Sequence, residues 1–186
     1  GTFNSKDVSA ATTVTAVYTL VNGANGELAS NYSLANDSLA ATINRKDLDV
    51  DGGWITISKV YDGTSAITPG NVTINASALA GSSTGPNDGK YIGSENITLA
   101  LDNVGAFASR DVVTGIQNTT TTVKLATGNA VNDNYSLRPQ PVLTGAITAK
   151  DVTIATGSVQ TKIYDGTTLA SVTAGNLTGL VSGEQL

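Results

Sequence analysis

"KVYDGT" (residues 59–64) reads as the end of an alternating strand closed by a tight turn, and the chain writes it again as "KIYDGT" at residues 162–167. Strand alternation sends Val60 to one face and Lys59 and Tyr61 to the other. Asp62-Gly63 then turns the chain, Asp by accepting from the amides that follow it and Gly by tolerating positive φ; Asp165-Gly166 repeats the pair. Neighbouring words recur at nearly the same distance: "GTFNSKDV" (1–8) returns as "GAFASRDV" (105–112), "NYSL" (31–34) returns intact at 134–137, and "ATINRKDL" (41–48) is answered by "AITAKDV" (146–152). Four words in one order mean a tandem repeat of about 104 residues.

A period that long is the size of a small domain, not of a solenoid unit of about 20–50 residues. The chain therefore divides into the rear of one copy (1–45), a complete copy (46–149) and the front of a third (150–186). Neither partial copy carries enough strands for a full core. Either the folded unit is phased differently from the sequence repeat, or the tail of one molecule complements the head of another through open strand edges.

Period-two alternation predicts strands at 14–21, 53–61, 71–77, 96–104, 119–126, 145–157 and 161–166. Between them lie "NGANGE", "GSSTGPNDGK", "TGNAVNDN" and "RPQP", which supply turn chemistry. No segment offers ten residues of clean helical periodicity, "SLANDSLAATI" coming nearest. Many short strands at short spacing predict an all-β fold of tandem antiparallel, Ig-like β-sandwiches. The repeated tyrosines Tyr61 and Tyr164, with Tyr32/Tyr135 and Phe3/Phe107, are expected to pack at domain edges, each Tyr hydroxyl finding a backbone partner.

Composition narrows the function. A net charge of −5 and the lack of any basic run argue against nucleic acid. No apolar stretch approaches a membrane span. The absence of His and Cys removes the Ser-His-Asp triad, the thiol nucleophile and His-based metal sites, and no carboxylate pair is marked among the acids, so no enzyme is expected. An amide cross-link from Lys59 or Lys162 lacks an identifiable partner and buried acid.

Tyr-Asp-Gly followed by Thr, then "GxFxSxDV", "NYSL" and "AxITxKD" leading into the next Tyr-Asp-Gly, resembles the YDG-type repeats of large bacterial surface proteins, including filamentous-haemagglutinin-like adhesins. The resemblance spans the complete copy and both partial ones. It implies a secreted, surface-attached array and carries over no catalytic residue. Its partners would be neighbouring repeats of the same chain and host or bacterial surface glycan or protein. The stretch "GSSTGPNDGKYIGSEN" (81–96) stands out as an insertion-like loop.

Residues that do not recur are the candidates for more than scaffold. Asp47, Asp49 and Asp51, followed by Gly52, match the first half of a calcium loop, in which alternate carboxylates converge on Ca²⁺, although the position of the closing bidentate acid is Ser58. On a straight strand the same acids would line a solvent edge. Trp54, opposite Ser158 in the next copy, either packs at a junction or stacks on a sugar. Eight Asn-x-Ser/Thr triplets, at Asn31, Asn36, Asn71, Asn75, Asn96, Asn118, Asn134 and Asn176, are glycosylation acceptors where accessible. Two function classes follow: a stalk that presents a distant binding region, or repeats that bind glycan or protein themselves.

Overall fold

A computed structural model describes residues 1–79, 81–83 and 85–186; Ala80, and Thr84 inside the expected long loop, lie outside the described residues. Among the described residues the chain forms strands and single 3₁₀ turns with no α-helix, so the fold is all-β. No helix among the described residues is long and apolar enough to cross a membrane.

The strands in chain order are β1 (Thr2–Phe3), β2 (Thr13–Ala16), β3 (Asp37–Ala40), β4 (Lys46–Leu48) and β5 (Ile55–Val60). Next come β6 (Val72–Ile74), β7 (Leu99–Asn103), β8 (Gln117–Asn118), β9 (Thr122–Leu125) and β10 (Tyr135–Leu137). The last five are β11 (Thr144–Thr148), β12 (Thr153–Ile154), β13 (Ser158–Val159), β14 (Val172–Thr173) and β15 (Leu177–Thr178). They fall into two compact units, one made of Gly1–Ile55, Ile74–Asp102 and Val123–Pro141, the other of Thr56–Thr73, Asn103–Thr122 and Val142–Leu186.

In the first unit β1, β2 and β3 form an antiparallel sheet, β7 pairs with β9, and β4 pairs with β10. Its core holds Leu48, Val50, Leu79, Ile97, Val123 and Tyr135, all buried. In the second unit the sheet order is β6-β5-β11-β8, and β12–β15 and β13–β14 are separate antiparallel pairs. Ile57, Ile67, Phe107, Leu143 and Ile147 are buried there. Strand β5 forms as its pattern dictates: Ile55, Ile57 and Lys59 point inward while Thr56, Ser58 and Val60 face out.

The expectation of purely antiparallel pairing needs correction at two places. β4 runs parallel to β10, with Lys46 opposite Tyr135 and Leu48 opposite Leu137, and β5 runs parallel to β11, with Ser58 opposite Ala146 and Val60 opposite Thr148. Alternation carries no information on strand direction. A parallel pair needs a crossover, and here nearly the whole repeat supplies it, since Asp47 and its neighbour Ser136 stand 89 residues apart. Within residues 46–149 the two N-terminal strands thus pair in parallel with the two C-terminal ones, β4 with β10 and β5 with β11. Gly145 lets β11 come close: a Cβ there would lie 2.4 Å from the Ile57 carbonyl oxygen.

Several predicted strands form only in part: 145–157 breaks into β11 and β12, and 71–77 keeps only β6. Only Thr13–Ala16 pairs at the first predicted stretch, and residues 161–166 lie in no strand. Equivalent words also differ in burial. Tyr135 is 4 % exposed where it opens β10 against β4, whereas Tyr32 in the same "NYSL" is 69 % exposed. Residues 32–34 lie in no strand, so the word alone does not bury its ring.

Candidate functional site

The repeated Lys-x-Tyr-Asp-Gly-Thr word folds as a lysine clamp. Lys59 sits at an inward position of β5 and is only 8 % exposed. An ammonium there needs acceptors for each of its protons. It finds the Thr64 carbonyl at 3.0 Å, the Thr64 hydroxyl at 3.1 Å, the Ala66 carbonyl at 2.9 Å and the Asp62 carboxylate at 2.6 Å. Asp62 also accepts from the Thr64 amide and hydroxyl at 2.9 Å, and Gly63 takes φ +80° at the turn. The Lys59 ammonium, with burial opposing and Thr64 assisting, pulls the Asp62 carboxyl from its ordinary 3.8 to about 2. In the second word Lys162 reaches Asp165 at 2.8 Å and the Thr167 carbonyl and hydroxyl at 2.9 Å, and it lowers the Asp165 pKa in the same way. The turn is therefore set even where its strand is not.

The other repeated words meet one another. Asn134 accepts from the Val8 amide at 2.8 Å and donates to Asp7 at 2.9 Å, so the Asn of "NYSL" latches the "KDV" word of residues 6–8. Asn134, then Lys6, holds the Asp7 carboxyl below its ordinary value. Arg45 donates to the Asp133 carbonyl at 3.0 Å beside it. The Tyr135 hydroxyl donates to Glu95 and accepts from the Ile92 amide at 3.0 Å; burial first, and Glu95 second, push its pKa up to about 12. Tyr61 donates to Glu184, which raises the Tyr61 pKa. Both phenols donate to carboxylates; the expected backbone partner is present at Tyr135, in the Ile92 amide.

Glu95 and Glu184 were not singled out by the sequence, and Lys59 and Asn134 were considered there only for a cross-link and for glycosylation. A lysine at an inward strand position three residues before an Asp was the available signal for the clamp. Glu95 and Glu184 recur too, in "YIGSENI" and "LVSGEQL", but at a shorter offset than the other words because the loop at 81–96 intervenes only once.

The structure does not gather Asp47, Asp49 and Asp51. Asp47 accepts from the Ser136 hydroxyl at 2.5 Å, Asp49 pairs with Arg138 at 3.1 Å, and Asp51 caps a turn by accepting from the Gly53 amide at 2.9 Å. The first is a cross-strand pair of β4–β10, the second lies one residue beyond the ends of both strands, and the third starts the turn Gly52–Trp54. Among the described residues no three acids lie together as metal ligands, so the triplet does not fit Ca²⁺. The long loop is likewise tied down: Lys46 binds Asp88 at 2.5 Å, Arg138 donates to the Asn87 carbonyl at 2.9 Å, and the Asp49 amide donates to the Gly89 carbonyl at 2.9 Å.

Trp54 is neither buried nor isolated. It is 50 % exposed and shares with Tyr91, Asp51 and Leu79 an open hollow of about 450 Å³. Two aromatic rings beside a carboxylate and backbone amides are groups that suit the apolar face and hydroxyls of a sugar.

A family model described as the YDG domain matches residues 44–142 and again 148–186. No curated protein and no solved structure matches the chain. With its repeated clamp at Tyr61-Asp62-Gly63 and Tyr164-Asp165-Gly166 inside those two matches, the chain belongs to the YDG domain family.

Proposed function

We propose that the chain is a stalk segment of an extracellular bacterial adhesin of the filamentous-haemagglutinin-like kind, built of tandem Ig-like β-sandwiches whose sequence repeat is phased as 1–45, 46–149 and 150–186 while each folded unit draws on two copies. The observation that carries this reading is where the repeated residues are used. Lys59, Asp62 and Thr64 close a turn, while Asn134 and Tyr61 meet neighbouring words, so what recurs is internal scaffold and contact between repeats. The stalk holds a distant binding region away from the cell, and its acidic surface keeps copies apart. Neither catalysis nor a cofactor enters this role.

The test compares the parent surface protein with versions shortened by whole repeats. Target binding by the detached protein should be unchanged, while adhesion of the bearing cell should fall as reach shortens. Competition of cell adhesion by the purified 186-residue chain would contradict the stalk role.

The hollow at Trp54 and Tyr91 favours a second reading, in which the repeat itself binds glycan. Trp54 is the chain's one tryptophan, so its fluorescence reports directly. Saturable quenching on titration with host oligosaccharides, abolished in Tyr91→Ala, supports that reading; an unchanged spectrum removes it.

A further inference from the structure

Two laced turns build the hollow at Trp54. The Asp51 amide donates to the Ala78 carbonyl at 2.8 Å and the Asn75 amide to the Trp54 carbonyl at 3.0 Å, which fastens the turn Gly52–Trp54 to the turn Ala76–Ala78. Asp51 and Asn75 each cap their own turn, accepting from the Gly53 and Ser77 amides at 2.9 Å. On the loop side the Tyr91 carbonyl accepts from the Ser83 amide at 2.9 Å, and a Cβ on Gly81 would lie 3.4 Å from the Tyr91 hydroxyl oxygen. Both aromatic residues are anchored through their backbones, so a ligand would meet a preformed surface.

The charge of that surface is unbalanced. Asp51 is the one charged residue among the described residues that border the hollow, the rest being Trp54, Tyr91, Leu79 and small uncharged side chains. Asp47, Asp49 and Asp88 already have Ser136, Arg138 and Lys46 as partners. Asp51 pairs with no lysine or arginine among the described residues, and its bond to Gly53 uses Oδ1, which leaves Oδ2 to accept. The acid and the two rings are also lost together in the next copy. Asp51 and Trp54 become Ala155 and Ser158, 104 residues on. Tyr91 becomes Leu180, matched through the turn that follows each, in which the Glu95 amide donates to the Ile92 carbonyl at 3.2 Å and the Glu184 amide to the Val181 carbonyl at 3.0 Å. Three residues that change as a set point to one shared task.

We propose that this hollow binds a glycan bearing free amino groups, a reading that rests on the glycan-binding role given above for the same site. The apolar face of the sugar lies on Trp54 and Tyr91, and its ammonium donates to the Asp51 carboxylate. A charge-assisted bond of this kind is roughly twice as strong as a neutral one. The hollow, at about 450 Å³, falls within the roughly 300–1,000 Å³ of small-ligand sites. The net charge of −5 draws a polycationic glycan from a distance. A sialylated or sulfated glycan is disfavoured, because its anion would face a carboxylate with no cation at the border. An N-acetylated sugar keeps the stacking and gives up the charge.

The test follows Trp54 fluorescence of the full chain during titration with the disaccharide of glucosamine, its N-acetylated form and a sialylated oligosaccharide, in a mildly acidic buffer that charges the sugar amine. The glucosamine disaccharide should bind about tenfold tighter than the acetylated one, the worth of one charge-assisted hydrogen bond. Asp51→Asn keeps an oxygen to cap Gly53 and should abolish that difference while leaving the acetylated sugar's affinity unchanged. Raised salt should weaken binding of the charged sugar alone, a readout that needs no variant. Equal binding of the two disaccharides, or preference for the sialylated sugar, overturns the proposal and leaves the glycan reading standing. Quenching by no sugar removes both.

Discussion

Lys59 and Asp62 contribute unequally to one turn, because Lys59 is buried and Asp62 is half exposed. Replacing Lys59 with Met keeps the stem's packing but strips donors from the Thr64 and Ala66 carbonyls; we expect a loss of about 2 kcal/mol in urea unfolding, since unsatisfied buried acceptors are costly. Asp62→Asn should cost about 1 kcal/mol, solvent screening having already weakened that side of the pair. The pH dependence has a definite sign. Asp62 titrates near 2 in the folded chain against an ordinary 3.8, so the fold favours the carboxylate. Its contribution is complete above about pH 4 and drains as the pH falls through about 2. Acid unfolding midpoints of the parent and Asp62→Asn should therefore converge toward pH 2, and a gap that widens on acidification would contradict the clamp. The Asp-Gly turn was legible because it depends on two adjacent residues. The burial of Lys59 was not, because alternation marks which residues share a face without saying which face is covered.

At the scale of elements, the two parallel pairings make predictions that antiparallel pairing would not. Gly145→Ala places a Cβ against the Ile57 carbonyl oxygen and within 3.0 Å of the Phe107 ring, so it should push β11 off β5 and cost about 2 kcal/mol by overpacking. Loss of amide protection should appear on both sides of that ladder, including at Tyr61. Just past the ends of β4 and β10, Arg138→Ala releases Asp49 and the Asn87 carbonyl together, an exposed cluster worth about 1 kcal/mol or less. Millimolar calcium should leave the melting temperature of the parent unchanged, because Asp47, Asp49 and Asp51 each have a separate partner; a rise that vanishes in Asp47→Asn would show that they converge. Strand positions such as β5 were readable from half-buried alternation. The fates of Asp47 and Asp49 were not, since both depend on β10, which lies far along the chain.

Across the whole molecule, one sequence word occurs in two settings, which supplies an internal control. "KVYDGT" and "KIYDGT" differ by one methylene, share the lysine contacts to Asp and Thr, and turn through glycines at φ +80° and +74°. Their local propensities are equal, so any difference in stability comes from what lies beside them. Lys59 and Val60 belong to β5, and the Tyr61 amide donates to the Thr148 carbonyl; Lys162, Ile163 and Tyr164 belong to no strand, and Ile163 and Tyr164 are exposed. Opening free energies range from near zero for unpaired segments to the global value for core strands. Native-state hydrogen exchange should therefore find the Tyr61 amide at least about a hundredfold slower than that of Tyr164. Addition of denaturant should bring the Tyr61 amide toward the same rate as the unit unfolds, while the Tyr164 rate barely changes. Equal exchange in dilute solution would mean that the turn alone protects both words and that β11 adds nothing. Slowing of Tyr164 with rising protein concentration, at constant Tyr61 exchange, would be the signature of the strand being completed by a second copy.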